Sequence, residues 1–158
     1  MTIGVLKEAT GENRVVLIPP DAAALIKDNV DILVESGAGV AANYSDAMYT
    51  EAGAKMGSRA EVLQADLVLG INHPSNEDIK QIKSGASLVC ILNALSSPEL
   101  VDLLKNQGIT SYGLEIIPRT TRAQALDVLS SMATVSGYKA VLVAATTAPR
   151  FFPMFMTA

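Results

Sequence analysis

Asp66-Leu67-Val68-Leu69-Gly70-Ile71 is an unbroken apolar run of strand length behind a single acid. A strand covered on one face alternates apolar and polar residues, whereas an unbroken run is expected where both faces are covered, as in the centre of a parallel sheet. The neighbours on either side support that reading. Downstream, Asn76–Lys83 reads as a helix, Ser87–Leu92 as a strand, and Ser97-Pro98-Glu99 opens a helix through Asn106. Proline and an acid in a first turn suit a helix start. Gln107-Gly108 stops that helix and Ile109–Leu114 is another strand. Upstream, Ile3–Lys7 is a short buried strand, Pro20-Asp21 opens a helix ending near Lys27-Asp28-Asn29, and Asp31–Glu35 is the next strand. Ser36-Gly37-Ala38-Gly39 is a turn, Ser45-Asp46 and Ser58 cap short helices, and Lys55-Met56-Gly57 is a brief extended segment. Strands alternating with helices of this length predict an α/β domain: a doubly wound parallel sheet with helices on both faces. In such sheets ligands sit beyond the carboxyl ends of the strands. Lys7-Glu8, Asn72-His73, Asn93 and Glu115 fall there.

The chain has 158 residues, which is one domain or one domain plus a fragment. Hydrophobic residues make up 49% and aromatic ones 4%, so the core is aliphatic. A net charge of −4 without basic clusters argues against nucleic acid. The lone Cys90 lies in the apolar run Ser87–Leu92; it excludes an internal disulfide, suits a reduced, cytoplasmic setting, and reads as an inert core residue. No segment is read as spanning a bilayer: the helix from about Ser136 to Ala148 is short and contains Lys139. All three phenylalanines fall in the closing stretch from Arg150 to Ala158. That apolar tail is expected to be covered by a following domain or by a partner.

Familiar catalytic patterns are absent. There is no G-x-G-x-x-G, no P-loop, no metal-spaced cysteine or histidine set and no nucleophile elbow. His73, before Pro74, reads as a surface histidine. No metal is expected. The polar stretch Pro118-Arg119-Thr120-Thr121-Arg122-Ala123-Gln124 stands out instead, leading into a long helix expected from about Ala123 to Thr147. At helical spacing, Asp127, Ser130, Ser131, Thr134 and Tyr138 share one face and Leu126, Leu129, Met132, Ala133 and Val135 the other. Such a face describes a binding surface or merely a solvated one.

The same stretch, from Pro118 through Gln124, Asp127 and Leu129-Ser130-Ser131 to Gly137-Tyr138, resembles the signature of the NAD-binding component (alpha subunit) of proton-translocating NAD(P) transhydrogenases. Ile3-Gly4-Val5-Leu6-Lys7-Glu8, Glu12-Asn13-Arg14-Val15, Val34–Gly39 and Glu51–Ala54 are similar to that family and to its relative, alanine dehydrogenase. The resemblance implies a flavodoxin-like or Rossmann-like domain over 1–147 with a long C-terminal helix. Residues 148–158 would lead on to an NAD-binding domain or partner. It further implies hydride transfer between NAD(H), held between this domain and the next, and NADP(H) on a partner subunit. Arg119, Gln124 and Asp127 would be catalytic, and these with Ser130 would contact the cofactor; Arg122 would be structural. The implied partners are NADP(H)-binding and membrane-spanning subunits in a homodimeric assembly, peripheral to the inner membrane on the cytoplasmic side without inserting. Direct hydride transfer needs positioning more than a protein acid or base.

Alanine dehydrogenase is disfavoured. Arg14 matches its substrate arginine, but the lysine position reads Leu69-Gly70-Ile71-Asn72-His73-Pro74 and the histidine position Ile91-Leu92-Asn93-Ala94. A keto acid would find no polarising cation or proton donor of that kind. The chain departs from the transhydrogenase pattern too, with Gly70 in place of a lysine and no glycine-rich turn of its own. A non-catalytic binding or assembly module of the same ancestry is the alternative, although such a module has no need to keep Arg119, Gln124 and Asp127 together.

Overall fold

The structure, a computed structural model, describes residues 1–152; residues 153–158 of the apolar tail lie outside them. Two compact units divide the chain, Met1–Leu114 and Glu115–Ala158.

In the first unit, β1 (Thr2–Val5), β2 (Asp31–Glu35), β3 (Lys55–Gly57), β4 (Leu67–Asn72), β5 (Ser87–Ile91) and β6 (Thr110–Gly113) form one sheet. All five pairings are parallel and the spatial order is β3-β2-β1-β4-β5-β6. The direction of strand succession reverses between β1 and β4, which is the Rossmann order. The predicted central run is indeed central, with β4 paired to β1 on one side and β5 on the other.

The connections are α1 (Pro19–Lys27), α2 (Asp46–Glu51), α3 (Arg59–Val62), α4 (Asn76–Gln81) and α5 (Pro98–Gln107). Local chemistry sets their ends. Proline opens α1 and α5, where its missing N–H costs nothing. Ser58 and Glu61 form a reciprocal capping box on α3. Gly108, at φ 71°, closes α5 in the left-handed conformation. Ser45 precedes α2 without a side-chain cap; the neighbouring Asp46 instead accepts the Gly37 N–H at 2.9 Å and ties down the β2 turn.

Right-handed crossovers place α1 and α2 on one face and α3, α4 and α5 on the other. Two aliphatic clusters result. Ile3, Val5, Ala22, Ile32, Val34 and Tyr49 fill the first, and Val62, Val68, Ile79, Leu88, Cys90 and Leu104 the second. Cys90 is thus a core residue, as its sequence context predicts. A Cβ on Gly4 would stand 2.6 Å from the Val62 carbonyl oxygen, so β1 and α3 approach more closely than any side chain would allow.

The second unit holds a polar loop, a 3-10 turn at Gln124–Leu126 and α6 (Val128–Thr147). The helix therefore begins later than Ala123. Asp127, at φ −76° and ψ 88°, is its non-helical N-cap, so Leu126 and Asp127 are not on a helical face. The expected two-sided character is also absent. Leu129, Met132, Val135, Val141, Leu142 and Val143 are all at least a third exposed, and no residue of α6 is buried. At 20 residues, with Lys139 its only charge, α6 is long and apolar enough to cross a bilayer by length and composition. This corrects the shorter segment read from Ser136. Core helices of soluble proteins pass the same two criteria. The chain leaves α6 at Ala148, which is extended as the residue before a proline tends to be.

Candidate functional site

The loop ahead of α6 winds through successive tight turns. The Thr120 N–H donates to the Pro118 carbonyl at 2.9 Å, Ala123 to Thr120 at 3.0 Å, Leu126 to Ala123 at 2.9 Å and Asp127 to Gln124 at 3.2 Å. These turns deliver Asp127 to the helix start, where the first N–H groups lack partners within the helix. Asp127 Oδ1 accepts the Ser130 N–H at 3.0 Å, and its Oδ2 accepts the Ser130 hydroxyl at 2.5 Å. The Ser131 hydroxyl donates to the Asp127 carbonyl at 3.0 Å. Arg119 Nε lies 3.7 Å from Asp127 Oδ2, a charge contact too long for a hydrogen bond.

Asp127 is 8% exposed and is the one buried charged residue among the described residues. Its carboxyl is held below the ordinary range, chiefly by the Ser130 hydroxyl, then by the Ser130 N–H, with the Arg119 charge adding to both. It is an anion at neutral pH. The Arg119 side chain is 74% exposed, so its pull on Asp127 is screened by water.

Three of the four residues singled out from the sequence therefore meet at one place: Arg119, Asp127 and Ser130. Gln124 sits in the 3-10 turn just before them, exposed, its side-chain amide hydrogen-bonded to nothing among the described residues. The Ser130 hydroxyl, expected to face a cofactor, is committed to Asp127. Arg122 is exposed and joins none of these contacts.

This donor set suits one end of a nicotinamide nucleotide. An exposed guanidinium, a free primary amide and a fixed carboxylate can match a carboxamide and ribose hydroxyls. It lacks the glycine-rich turn at a helix start that cradles a pyrophosphate, and the start of α6 is already capped by the Asp127 carboxylate.

The crevice at the topological switch, between the ends of β1 and β4, is built differently. Glu8 bridges the parting strands: Oε1 accepts the Ile71 N–H at 2.6 Å, and Oε2 the Asn72 N–H and side-chain amide, both at 3.2 Å. Beside it, Arg59 spends its fork on Asp78 at 3.1 and 2.8 Å, on Glu35 at 2.9 Å and on the Lys7 carbonyl at 3.1 Å. The enclosed space is about 130 Å³, well short of the ~300 Å³ at which small-molecule pockets begin. The crevice is a stapled junction. Sequence reading missed the Arg59 network because Glu35 and Asp78 lie 24 and 19 residues away and no spacing rule links them.

Arg14 is gripped by Glu12, with Nε–Oε1 2.8 Å and Nη2–Oε2 2.6 Å. Glu12 is pulled down to about 2 by that pairing. His73 is exposed, with Nδ1 3.0 Å from the Pro74 carbonyl.

Residues 4–136 match the family model described as alanine dehydrogenase/PNT, N-terminal domain. The NAD(P) transhydrogenase subunit alpha of Haemophilus influenzae is 42% identical over all of this chain, which covers 31% of that protein. An NAD(P) transhydrogenase subunit alpha polypeptide from Rhodospirillum rubrum is 39% identical over all of it, and the chain covers 43% of that protein. The crystal structure of transhydrogenase from Sinorhizobium meliloti superposes with a TM-score of 0.93 at 36% identity, covering 100% of this chain and 48% of that one. The chain thus spans less than half the length of these relatives, and its whole length lies within theirs. With the fold and the family model over residues 4–136 in agreement, the chain belongs to the alanine dehydrogenase/PNT N-terminal domain family.

Proposed function

We propose that this chain is the N-terminal part of the NAD(H)-binding component of a proton-translocating NAD(P) transhydrogenase, and that its Arg119–Ser130 loop forms one wall of the NAD(H) site. The observation that carries the reading is similarity to NAD(P) transhydrogenase alpha subunits along the entire chain. Residues 1–147 form the N-terminal α/β domain, and 148–158 lead toward the nucleotide-binding part. NADP(H)-binding and membrane-spanning subunits complete the assembly, a homodimer on the cytoplasmic side of the inner membrane.

When bound, the nicotinamide supplies the hydride-carrying carbon. The loop supplies position. Gln124 offers a donor and an acceptor to a carboxamide. Asp127, already ionised, accepts from a ribose hydroxyl or carboxamide N–H. Arg119 directs N–H donors at a carbonyl oxygen. Ser130 acts through Asp127, fixing both carboxylate oxygens. Hydride transfer between two nicotinamides exchanges no proton with the protein at the reacting carbons, so positioning and charge are what such a loop has to provide.

The first test is calorimetric titration of NADH into the 158-residue chain and into the full-length alpha polypeptide. The expected result is no heat of binding for the former and clear binding for the latter. Binding by the short chain would put the whole nucleotide site within these residues and overturn the one-wall reading.

A further inference from the structure

Ser130 and Ser131 hold two different parts of Asp127. Ser130 holds the carboxylate, at both of its oxygens. Ser131 holds the main chain. Its N–H donates to the Asp127 carbonyl at 3.2 Å, and its hydroxyl donates to the same oxygen at 3.0 Å. The N–H bond is the first rung of α6 and lies at the long end of the usual range. The hydroxyl is the closer of the two donors. Asp127, at φ −76° and ψ 88°, has not yet taken up helical geometry. Its carbonyl is therefore the point at which the helix takes hold of the loop, and Ser131 grips that point twice.

Helix stability alone does not ask for a hydroxyl here. Ser131 is exposed, and alanine is the better helix former. A serine bonded back to the carbonyl four residues earlier slightly destabilises a helix and tends to bend it. What the hydroxyl does accomplish is to fix the direction in which the chain at Asp127 meets the helix. A ligand that takes Asp127 Oδ2 competes with the Ser130 hydroxyl. It does not compete with Ser131, whose bonds are to the main chain. We infer that Ser131 is a positioning residue for hydride transfer: its hydroxyl holds the Asp127 backbone, and so the aim of the carboxylate, while a ligand and Ser130 contend for the side chain. The inference rests on the proposed contact between Asp127 and the nicotinamide nucleotide.

Single-turnover hydride transfer from NADH to NADP+ is measured in the complete enzyme carrying Ser131→Ala, Ser131→Thr or Ser131→Val, with Asp127→Asn alongside. Threonine can make the same bond to the carbonyl four residues back, and valine has its shape without the hydroxyl. A displacement on the order of 1 Å can cost about 100-fold in rate. Loss of one hydroxyl contact is a smaller shift, so Ser131→Ala and Ser131→Val should slow transfer about tenfold and Ser131→Thr should return it to within about twofold of the parent. NADH affinity of the full-length alpha polypeptide should stay within about threefold in all three, the pattern of an interaction that counts in the transition state rather than in binding. The carboxyl carbon resonance of Asp127 should keep its titration midpoint, because the lowered value is set chiefly at Ser130. A general loss of structure would move every readout and would not be rescued by threonine. Unchanged transfer in Ser131→Ala, equal loss in the threonine and valine variants, or a shifted Asp127 midpoint would each overturn the inference. Asp127→Asn separates the two ideas: slowed transfer there with normal transfer in Ser131→Ala refutes the role of Ser131 alone, while full transfer in Asp127→Asn refutes the cofactor reading beneath it.

Discussion

Arg59→Met tests whether the switch-point crevice is a junction or a ligand site. Methionine keeps much of the aliphatic stem and removes the guanidinium, so the change isolates the ion network. Two magnitudes bracket the cost. Breaking a buried pair costs about 3–5 kcal/mol, and an exposed pair contributes about 0.2–1 kcal/mol. Arg59 is 36% exposed, but its partners Glu35 and Asp78 are only 13% and 15% exposed. Both keep other donors: Glu35 the Lys7 N–H at 2.8 Å, and Asp78 the Ser75 hydroxyl at 2.8 Å. An intermediate cost of about 2 kcal/mol follows, or about 4–8 °C in Tm for a chain of this size. The pH dependence has a definite sign. Arg59 is the main cause of the lowered Asp78 pKa, so the contribution is present above the ordinary aspartate value of about 4 and fades as pH falls through the lower folded value. Urea unfolding followed by circular dichroism should show the full deficit at pH 7, with the two proteins converging as the pH falls below the ordinary aspartate value. NADH affinity of the full-length polypeptide should not change. A deficit that persists undiminished in acid would refute the electrostatic account, and lost NADH binding in a folded variant would make the crevice a ligand site.

Asp127→Asn should slow hydride transfer in the complete enzyme far more than it weakens folding, because asparagine caps a helix as well as aspartate does; an unchanged rate would remove Asp127 from the site. Ser130→Ala deletes the largest cause of the lowered Asp127 pKa, so the carboxyl carbon resonance of Asp127 should titrate at higher pH than in the parent, and an unmoved midpoint would refute the positioning role. The Tyr49 hydroxyl donates to the Leu17 carbonyl at 2.8 Å from a fully buried position; Tyr49→Phe should cost about 1–3 kcal/mol in denaturant unfolding. Burial raises that phenol to about 12, and difference absorbance should lose a late-ionising tyrosine in the variant.

The sheet was legible where local pattern suffices. Asp31–Glu35 and Lys55–Gly57 are strands with the bounds read from sequence, and the apolar run after Asp66, Leu67–Ile71, lies in the central strand as its unbroken apolar character predicts. The place where the strand order turns back was not legible, since it depends on which distant strand β4 joins. The start of α6 was misplaced for a local reason. Gln124, Ala125 and Leu126 are good helix formers, and their propensity hides the stronger signal after them, an aspartate with N–H groups to cap. The Arg119–Asp127–Ser130 cluster was found through its motif, whereas the Arg59 network carried no motif and went unseen.

That misplaced boundary changes how the candidate site works. On a helical face, Asp127 would point outward with a free carboxylate. As N-cap it is fixed by the Ser130 N–H and the Ser130 hydroxyl, with the solvent-screened Arg119 charge 3.7 Å away. It is also the only acid at the start of α6, whose first turn carries none, so the helix dipole favours the same ionised form that the cap requires. A carboxylate held in this way enters a binding site already charged and already aimed, and little freedom is left to lose when a ligand arrives. The cost is that a ligand competing for Oδ2 must also compete with the Ser130 hydroxyl. Arg119 and Gln124 carry no such commitment. Both are exposed, so the loop combines one immobile anion with two adaptable donors, the division of labour expected where a fixed point sets the register of a ligand and mobile side chains close on it.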